Sequence, residues 1–116
     1  MIGMEGAPDV SPRVRRVLDD PYSNRFISSV SIAEIAVKVQ SGKLAMRPSD
    51  LDKLIEDFSL KYIAFNHLHA EQLFAMPLHH ADPFDRMLIA TALAEELTII
   101  GSDRNFPKYK GLRTLW

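Results

Sequence analysis

Three acidic residues of this chain combine a type and a spacing that suggest chemistry. Glu34 lies in the first turn of the helix predicted after a strand at 25–30, and Asp85 lies in the first turn of the longest predicted helix. Asp103 lies two residues beyond Gly101, where the most apolar predicted strand ends. Carboxylates gathered at one crevice supply the hard oxygen ligands that Mg²⁺ and Mn²⁺ prefer. Such a metal polarises a phosphate and lowers the pKa of an attacking water, so these residues are candidates for phosphodiester hydrolysis.

The same acids also have a purely structural interpretation as helix caps. Ser31 and Glu34 have the spacing of a capping box, in which Glu34 returns a hydrogen bond to the Ser31 backbone. Asp82 is a suitable N-cap, Asp85 a favourable first-turn charge, and Asp103 can cap the turn that follows it. For each acid taken alone, the spacing favours a capping role. Their shared position at one edge of the predicted sheet favours a metal-binding site instead.

The elements that must position these acids alternate between helix and strand. Capping residues, helical spacing and stop signals predict helices at 12–18, 31–41, 50–58, 66–76 and 82–96. Runs rich in β-branched and aromatic residues predict strands at 25–30, 62–65, 97–101 and 112–115, with a helical turn at 106–109. This alternation is typical of an α/β fold with a mainly parallel sheet flanked by helices. Ligand sites of such sheets lie outside the carboxyl ends of the strands.

The bulk composition narrows the class of protein. With 116 residues, 47% of them apolar, the chain is long enough for one domain, which we place at 1–116. The absence of cysteine excludes disulfides, thiolate zinc sites and cysteine nucleophiles, and it fits a cytoplasmic protein. No signal peptide or membrane span is predicted. A net charge of −1 gives no global attraction for nucleic acid, so RNA binding requires a local basic patch.

Three blocks of the sequence, together with its end, resemble a known family. The blocks are 28–44 (SSVSIAEIAVKVQSGKL), 77–92 (PLHHADPFDRMLIATA) and 102–106 (SDRNF), and the chain ends in LW. In order and spacing they are similar to the second, third and fourth conserved blocks of PIN-domain proteins. The middle block is the most specific, through its His-x-Asp-Pro-Phe-Asp-Arg run. The resemblance covers essentially the whole chain and implies an α/β, three-layer PIN-like fold.

The resemblance also implies an activity and a set of partners. PIN-domain proteins cleave single-stranded RNA with a metal held among clustered acids. Their toxin members are paired with a small antitoxin that blocks the site, and they commonly form homodimers. Carried over, Glu34, Asp85 and Asp103 become the carboxylates that bind Mg²⁺ or Mn²⁺. Asp82 belongs to the motif, and we interpret it as a helix cap rather than a ligand. Asn105 stands where the wider family often has a further acid.

One departure from the family concerns the start of the chain. PIN-domain proteins usually begin with a strand that ends in an Asp, upstream of the region that matches 9–12. Here Met1 falls after that strand, and no Asp in an apolar context replaces it. We therefore expect a domain truncated at its N-terminus relative to the family. Because that strand is normally central to the sheet, its loss would weaken both metal binding and stability.

Several further residues have a predicted supporting role. Lys38 and Arg86 flank the acids and are candidates for holding RNA phosphates. Alternatively, Arg86 pairs with an acid and Lys38 lies on a solvated helix face. We expect His80 to shape the edge of the site, and Ser102 to orient Asp103 or to cap a turn.

The remaining residues are either histidines with no predicted function or apolar residues that belong to the core or to an exposed groove. His67 and His69 fall in the first turn of a helix, where no function is required, and His79 is a predicted loop residue. Apolar residues of the middle helices are expected to divide between the core and an exposed groove for a partner helix or a second copy; they are Leu51, Leu54, Ile55, Leu60, Leu73, Phe74 and Met76.

The leading hypothesis is a metal-dependent endoribonuclease of the toxin–antitoxin type. The alternative is a PIN-fold module that binds RNA or an antitoxin without cutting, because the family's first Asp is missing. A third possibility is a fragment that folds poorly alone and survives only as an oligomer.

Overall fold

The computed structural model describes residues 11–79, 82–101 and 106–116. The helices are α1 (Pro12–Asp19), α2 (Ser29–Gln40), α3 (Pro48–Asp57), α4 (His67–Ala75) and α5 (Pro83–Glu95). The strands are β1 (Phe26–Ser28), β2 (Lys61–Ile63), β3 (Thr98–Ile100) and β4 (Arg113–Leu115), with a 3₁₀ turn at Phe106–Lys108. Every predicted helix and strand is present, although each strand is only three residues long. None of the described helices is long and apolar enough to cross a membrane.

The strands pair in parallel, as predicted. Ile27 of β1 lies opposite Tyr62 of β2, and Ile99 of β3 lies opposite Thr114 of β4. Within the described ranges, the strands pair as two two-stranded units, β1 with β2 and β3 with β4. In each unit one strand is mostly buried, namely β1 and β3, while its partner is largely exposed. Burial of β1 and β3 explains their apolar residues, since parallel strands are usually covered on both faces.

Helix α5 forms the centre of the core. Its residues Leu88, Ile89 and Ala92 are buried, and they belong to one apolar cluster with Met76, Ile99, Phe106 and Tyr109. Neighbouring helices α4 and α2 both pack against α5. A helix buried on most of its surface needs apolar residues all around, which is the pattern of the α5 sequence.

Predicted capping residues begin three of the helices. The side chains of Ser11, Asn66 and Asp82 accept hydrogen bonds from backbone N–H groups in the first turns of α1, α4 and α5. Each satisfies donors that the start of a helix otherwise leaves without a partner. Gly42 follows the end of α2 and has a φ of +78°, a conformation that favours glycine. The sequence predicted that a glycine here would stop the helix.

Helix α2 begins earlier than predicted. Its N-cap is Ser28, whose hydroxyl accepts a hydrogen bond of 3.1 Å from the Val30 backbone N–H, so Ser31 lies inside the first turn and does not cap the helix. The predicted strand at 25–30 is correspondingly shortened to Phe26–Ser28. Serine fits either position, and the packing of α2 decided between them.

His69 ties α4 to α5, in agreement with the expectation that it needs no functional account. Its ring is fully buried. Nδ1 accepts a hydrogen bond of 3.1 Å from the Asn66 backbone N–H, and Nε2 lies 2.8 Å from Glu95 Oε1. Because Nδ1 acts as an acceptor, the proton of the neutral ring is on Nε2 and is donated to Glu95. The role of this histidine is therefore structural.

Candidate metal centre

Three carboxylates from two helices meet at one place. Glu34 of α2, Asp85 of α5 and the capping residue Asp82 each offer an oxygen, and these oxygens lie within 4.8 Å of one another. Glu34 is only 7% exposed and Asp85 only 3%, while Asp82 is half-buried. The packing of α2 against α5 brings together residues that are about fifty positions apart in the sequence.

The start of α5 fixes two of these acids. Oδ1 of Asp82 accepts hydrogen bonds from the backbone N–H groups of Phe84, at 2.8 Å, and Asp85, at 3.3 Å. Pro83 occupies the first helical position, where its missing N–H costs nothing. Asp85 follows in the first turn, where the positive end of the helix dipole favours a carboxylate. A short motif therefore places two acids beside each other through local geometry alone.

The position of Glu34 differs from the prediction. Since α2 begins at Ser29, Glu34 lies in the second turn, and no acidic residue is in the first turn. The proposed capping box with Ser31 is therefore wrong, because Ser28 is the cap. Glu34 is instead buried on the packed side of α2 with Val30 and Ile35. Burying a carboxylate is costly unless a partner compensates for the lost water, so the capping explanation of Glu34 no longer holds.

Asp82 is the predicted cap of α5, and its carboxylate also belongs to the acidic group. The structure confirms it as the N-cap of α5, and it also places this carboxylate within the acidic group. Its cap hydrogen bonds use Oδ1. Sequence reasoning excluded Asp82 from the ligand set because capping seemed a sufficient explanation. The signal that would have included it is the Asp82-x-x-Asp85 spacing, which puts both side chains on one side of the first turn.

The donor set fits a hard divalent cation. Carboxylate oxygens are the preferred ligands of Mg²⁺ and Mn²⁺, and the described group contains no nitrogen or sulfur ligand. Three negative groups so close together repel one another, and a bound cation would relieve that repulsion. The residues present therefore fit the metal that the sequence predicted.

Three of the predicted site residues, His80, Ser102 and Asp103, lie outside the described residues. Next to them, Gly101 is buried directly after β3. A Cβ at Gly101 would lie 2.9 Å from Cε2 of Phe106, so the chain needs glycine there for close packing.

The two predicted RNA-binding residues flank the acidic group. Lys38 is half-buried and lies one helical turn beyond Glu34, on the same side of α2. Arg86 follows Asp85, and its Nη1 donates a hydrogen bond of 3.2 Å to the Pro77 carbonyl oxygen. Neither predicted role for Arg86 included this contact, which holds the segment before α5 against the start of that helix.

An apolar groove of about 390 Å³ lies between α2 and α3. Its lining includes Ile32, Ile35, Ala36, Val39, Met46 and Leu51. This confirms Leu51 as a groove residue, while Leu60 and Met76 belong to the core and Phe74 is almost fully exposed. Basic residues Lys38, Lys43 and Arg47 lie along the same stretch of chain, which carries no acid between 38 and 47.

These features define a class: a mixed α/β domain with short parallel strands and a buried acidic group where two helices meet. A comparison with family models matches the PIN domain over residues 7–112. The chain therefore belongs to the PIN domain family, and its fold is the PIN fold.

A comparison with solved structures supports the same fold. One similar chain belongs to the crystal structure of VapBC2 from Rickettsia felis bound to a DNA fragment from their promoter. The alignment has a TM-score of 0.71, covers 89% of this chain and 81% of that chain, and contains 17% identical residues. At this identity the likeness concerns the fold alone. A comparison with curated proteins found no match.

Proposed function

We propose that this protein is a metal-dependent endoribonuclease of the toxin–antitoxin type that cleaves single-stranded RNA. The observation that carries the proposal is the convergence of Glu34, Asp82 and Asp85 within 4.8 Å, two of them buried. PIN domains are usually nucleases, and a buried group of carboxylates is costly to maintain without a use for it.

In this proposal Glu34, Asp85 and Asp103 hold Mg²⁺ or Mn²⁺, and Asp82 is an additional candidate from the structure. When bound, the ion supplies Lewis-acid polarisation of the phosphate and lowers the pKa of a water molecule. Asp82 fixes the start of α5 and thereby the position of Asp85. Lys38 and Arg86, beside the acids, would hold the phosphates on either side of the cleaved bond.

A cognate antitoxin is the proposed protein partner. The groove between α2 and α3 is strongly apolar, and it suits the apolar face of a partner helix. Its neighbouring basic residues, Lys43 and Arg47, favour acidic residues on that helix. The chain of similar fold belongs to VapBC2 bound to a DNA fragment from their promoter. Homodimer formation is a further proposal, and the exposed Phe74 is a candidate contact for it.

The family's first Asp bears on the alternative of a module that binds without cutting. In the family, this Asp lies at the end of the first strand. A protein without this Asp would bind the metal more weakly, so the two functions differ in metal affinity.

The deciding experiment is Mn²⁺-dependent cleavage of an unstructured RNA by the parent protein and its Asp85→Asn variant. We expect cleavage by the parent and a loss of about a hundredfold or more in the variant, because outer-shell partners of a metal already contribute 10–100-fold. Asp52→Asn, which changes an exposed acid of α3, is the matched control and should cleave normally. Equal activity in the parent and Asp85→Asn would contradict this site. A folded parent that binds RNA without cleaving it would favour the binding module.

A further inference from the structure

The short segment between α4 and α5 exposes two neighbouring side chains. Met76 follows α4 and is buried in the core. Two residues later Leu78 is 80% exposed, and His79 next to it is also exposed. Leu78 therefore buries little apolar surface in the fold, and together with His79 it presents an apolar and a flat side chain to solvent.

This segment is held in place from two sides. Arg86 donates a hydrogen bond of 3.2 Å from Nη1 to the Pro77 carbonyl oxygen. The His79 ring lies edge-on to the buried Tyr109 ring, with centroids 5.0 Å apart and an interplanar angle of 75°. Leu78 and His79 are therefore exposed side chains on a backbone that contacts with the core and with α5 fix in position. Preorganised groups of this kind bind a ligand with little loss of conformational entropy.

The chain length between the segment and the acids limits their separation. His79 precedes Asp82 by three residues. Since consecutive Cα atoms are about 3.8 Å apart, the Cα atoms of His79 and Asp82 are at most about 11 Å apart. A strand whose phosphate lies at the acids would therefore bring a neighbouring base within reach of this segment.

We propose that Leu78 and His79 form a base-binding platform, which contacts a nucleobase next to the cleaved phosphate and sets the enzyme's sequence preference. The inference rests on the proposed ribonuclease function. Single-stranded RNA is recognised largely by stacking of unpaired bases on aromatic side chains, histidine included. The imidazole of His79 offers a flat surface, and Leu78 adds an apolar contact beside it. Arg86 acts as a positioning residue through Pro77.

The test separates binding from cleavage. We would measure binding of a short fluorescent unstructured RNA in EDTA, and then cleavage of a randomised RNA pool with Mn²⁺. The variants are His79→Ala, His79→Phe and Leu78→Ser. The matched controls are His67→Ala and Leu68→Ser, which change an exposed histidine and an exposed leucine of α4. Thermal melts confirm that each variant folds.

We expect His79→Ala to weaken RNA binding about tenfold, the loss typical of one stacked base. KM should rise with kcat nearly unchanged, since the contact is present equally in the ground and transition states. In His79→Ala, the preference for particular bases beside the cleaved bond should become weaker. His79→Phe should restore both the RNA affinity and this preference. A merely structural role of His79 would lower the melting temperature without changing base preference.

Other outcomes separate this inference from the proposed function. If the parent cleaves RNA and both His79→Ala and Leu78→Ser keep its affinity and base preference, the platform is excluded and the nuclease stands. If the parent binds RNA through His79 but does not cleave it, the RNA contact at His79 stands, whereas the nuclease and the sequence preference at the cut are excluded. If the parent shows no RNA binding, both are excluded, and a protein partner becomes the better explanation of the exposed residues.

Discussion

At the residue scale, Asp82 shows that a helix cap can also lie within an acidic group. It caps α5 with Oδ1, and one of its carboxylate oxygens lies within 4.8 Å of oxygens of Glu34 and Asp85. Capping and metal binding are often treated as competing explanations of an acid at a helix start. Here the cap fixes the helix start that carries Asp85, so capping by Asp82 is compatible with the proposed metal site.

A ligand-binding prediction belongs to this scale. In the proposed function, Mn²⁺ binds the folded acidic group and not the unfolded chain, so Mn²⁺ at about a hundred times its Kd should raise the free energy of unfolding by about 2.7 kcal/mol. Glu34→Gln and Asp85→Asn should lose most of this effect, and Asp52→Asn should keep it. Thermal melts with and without Mn²⁺ measure the shift. A full shift in Glu34→Gln would place the ion elsewhere.

At the element scale, the buried histidine predicts how α4 and α5 depend on each other. His69→Ala removes a buried ring and leaves the Asn66 N–H without its acceptor. We expect a loss of about 2–4 kcal/mol in the free energy of unfolding, from the cavity and the unpaired donor together. His67→Ala is the control, because its pair with Glu71 is exposed and should contribute less than about 0.5 kcal/mol. Urea unfolding measures both, and a similar small loss in the two variants would contradict the structural role of His69.

The start of α3 gives a pH prediction. The Arg47 backbone N–H, and then its guanidinium, lower the pKa of Asp50 below the ordinary value for an aspartate. A carboxyl group whose pKa is lower in the folded state stabilises the fold above its unfolded pKa, and this contribution is lost as the pH falls through the folded pKa. Asp50→Asn should therefore melt slightly lower than the parent near neutral pH, with the difference lost as the pH falls through the lowered pKa of Asp50. A difference independent of pH would contradict this origin.

Element boundaries show where sequence reasoning was sufficient. Ser11, Asn66 and Asp82 were correctly predicted as caps because their hydrogen bonds are local. The start of α2 was wrong because Ser28 and Ser31 are equally good caps by type, and only packing against α5 distinguishes them.

At the scale of the whole molecule, the α2–α3 groove and the acidic group are separate surfaces that share α2. Ala36→Glu puts a charge into the apolar groove without touching Glu34. We expect it to weaken binding of a protein encoded beside this chain at least tenfold, since the bound partner would bury the new charge without a counter-charge, while RNA cleavage stays unchanged. Ala33→Glu, at an equally exposed position of the same helix that does not line the groove, is the matched control. Co-purification and RNA cleavage test both points, and normal partner binding by Ala36→Glu would exclude the groove.

The sequence by itself determined the helices, the parallel α/β class and the motif that resembles the PIN family, because these depend on caps, periodicity and short-range spacing. It also placed Asp82 and Asp85 at one helix start. Only the tertiary structure brought Glu34 to them, buried His69 against Glu95 and left Leu78 exposed. Each of these contacts or exposures depends on how two elements pack, and packing is set by the side chains of the whole core rather than by the residues near each position.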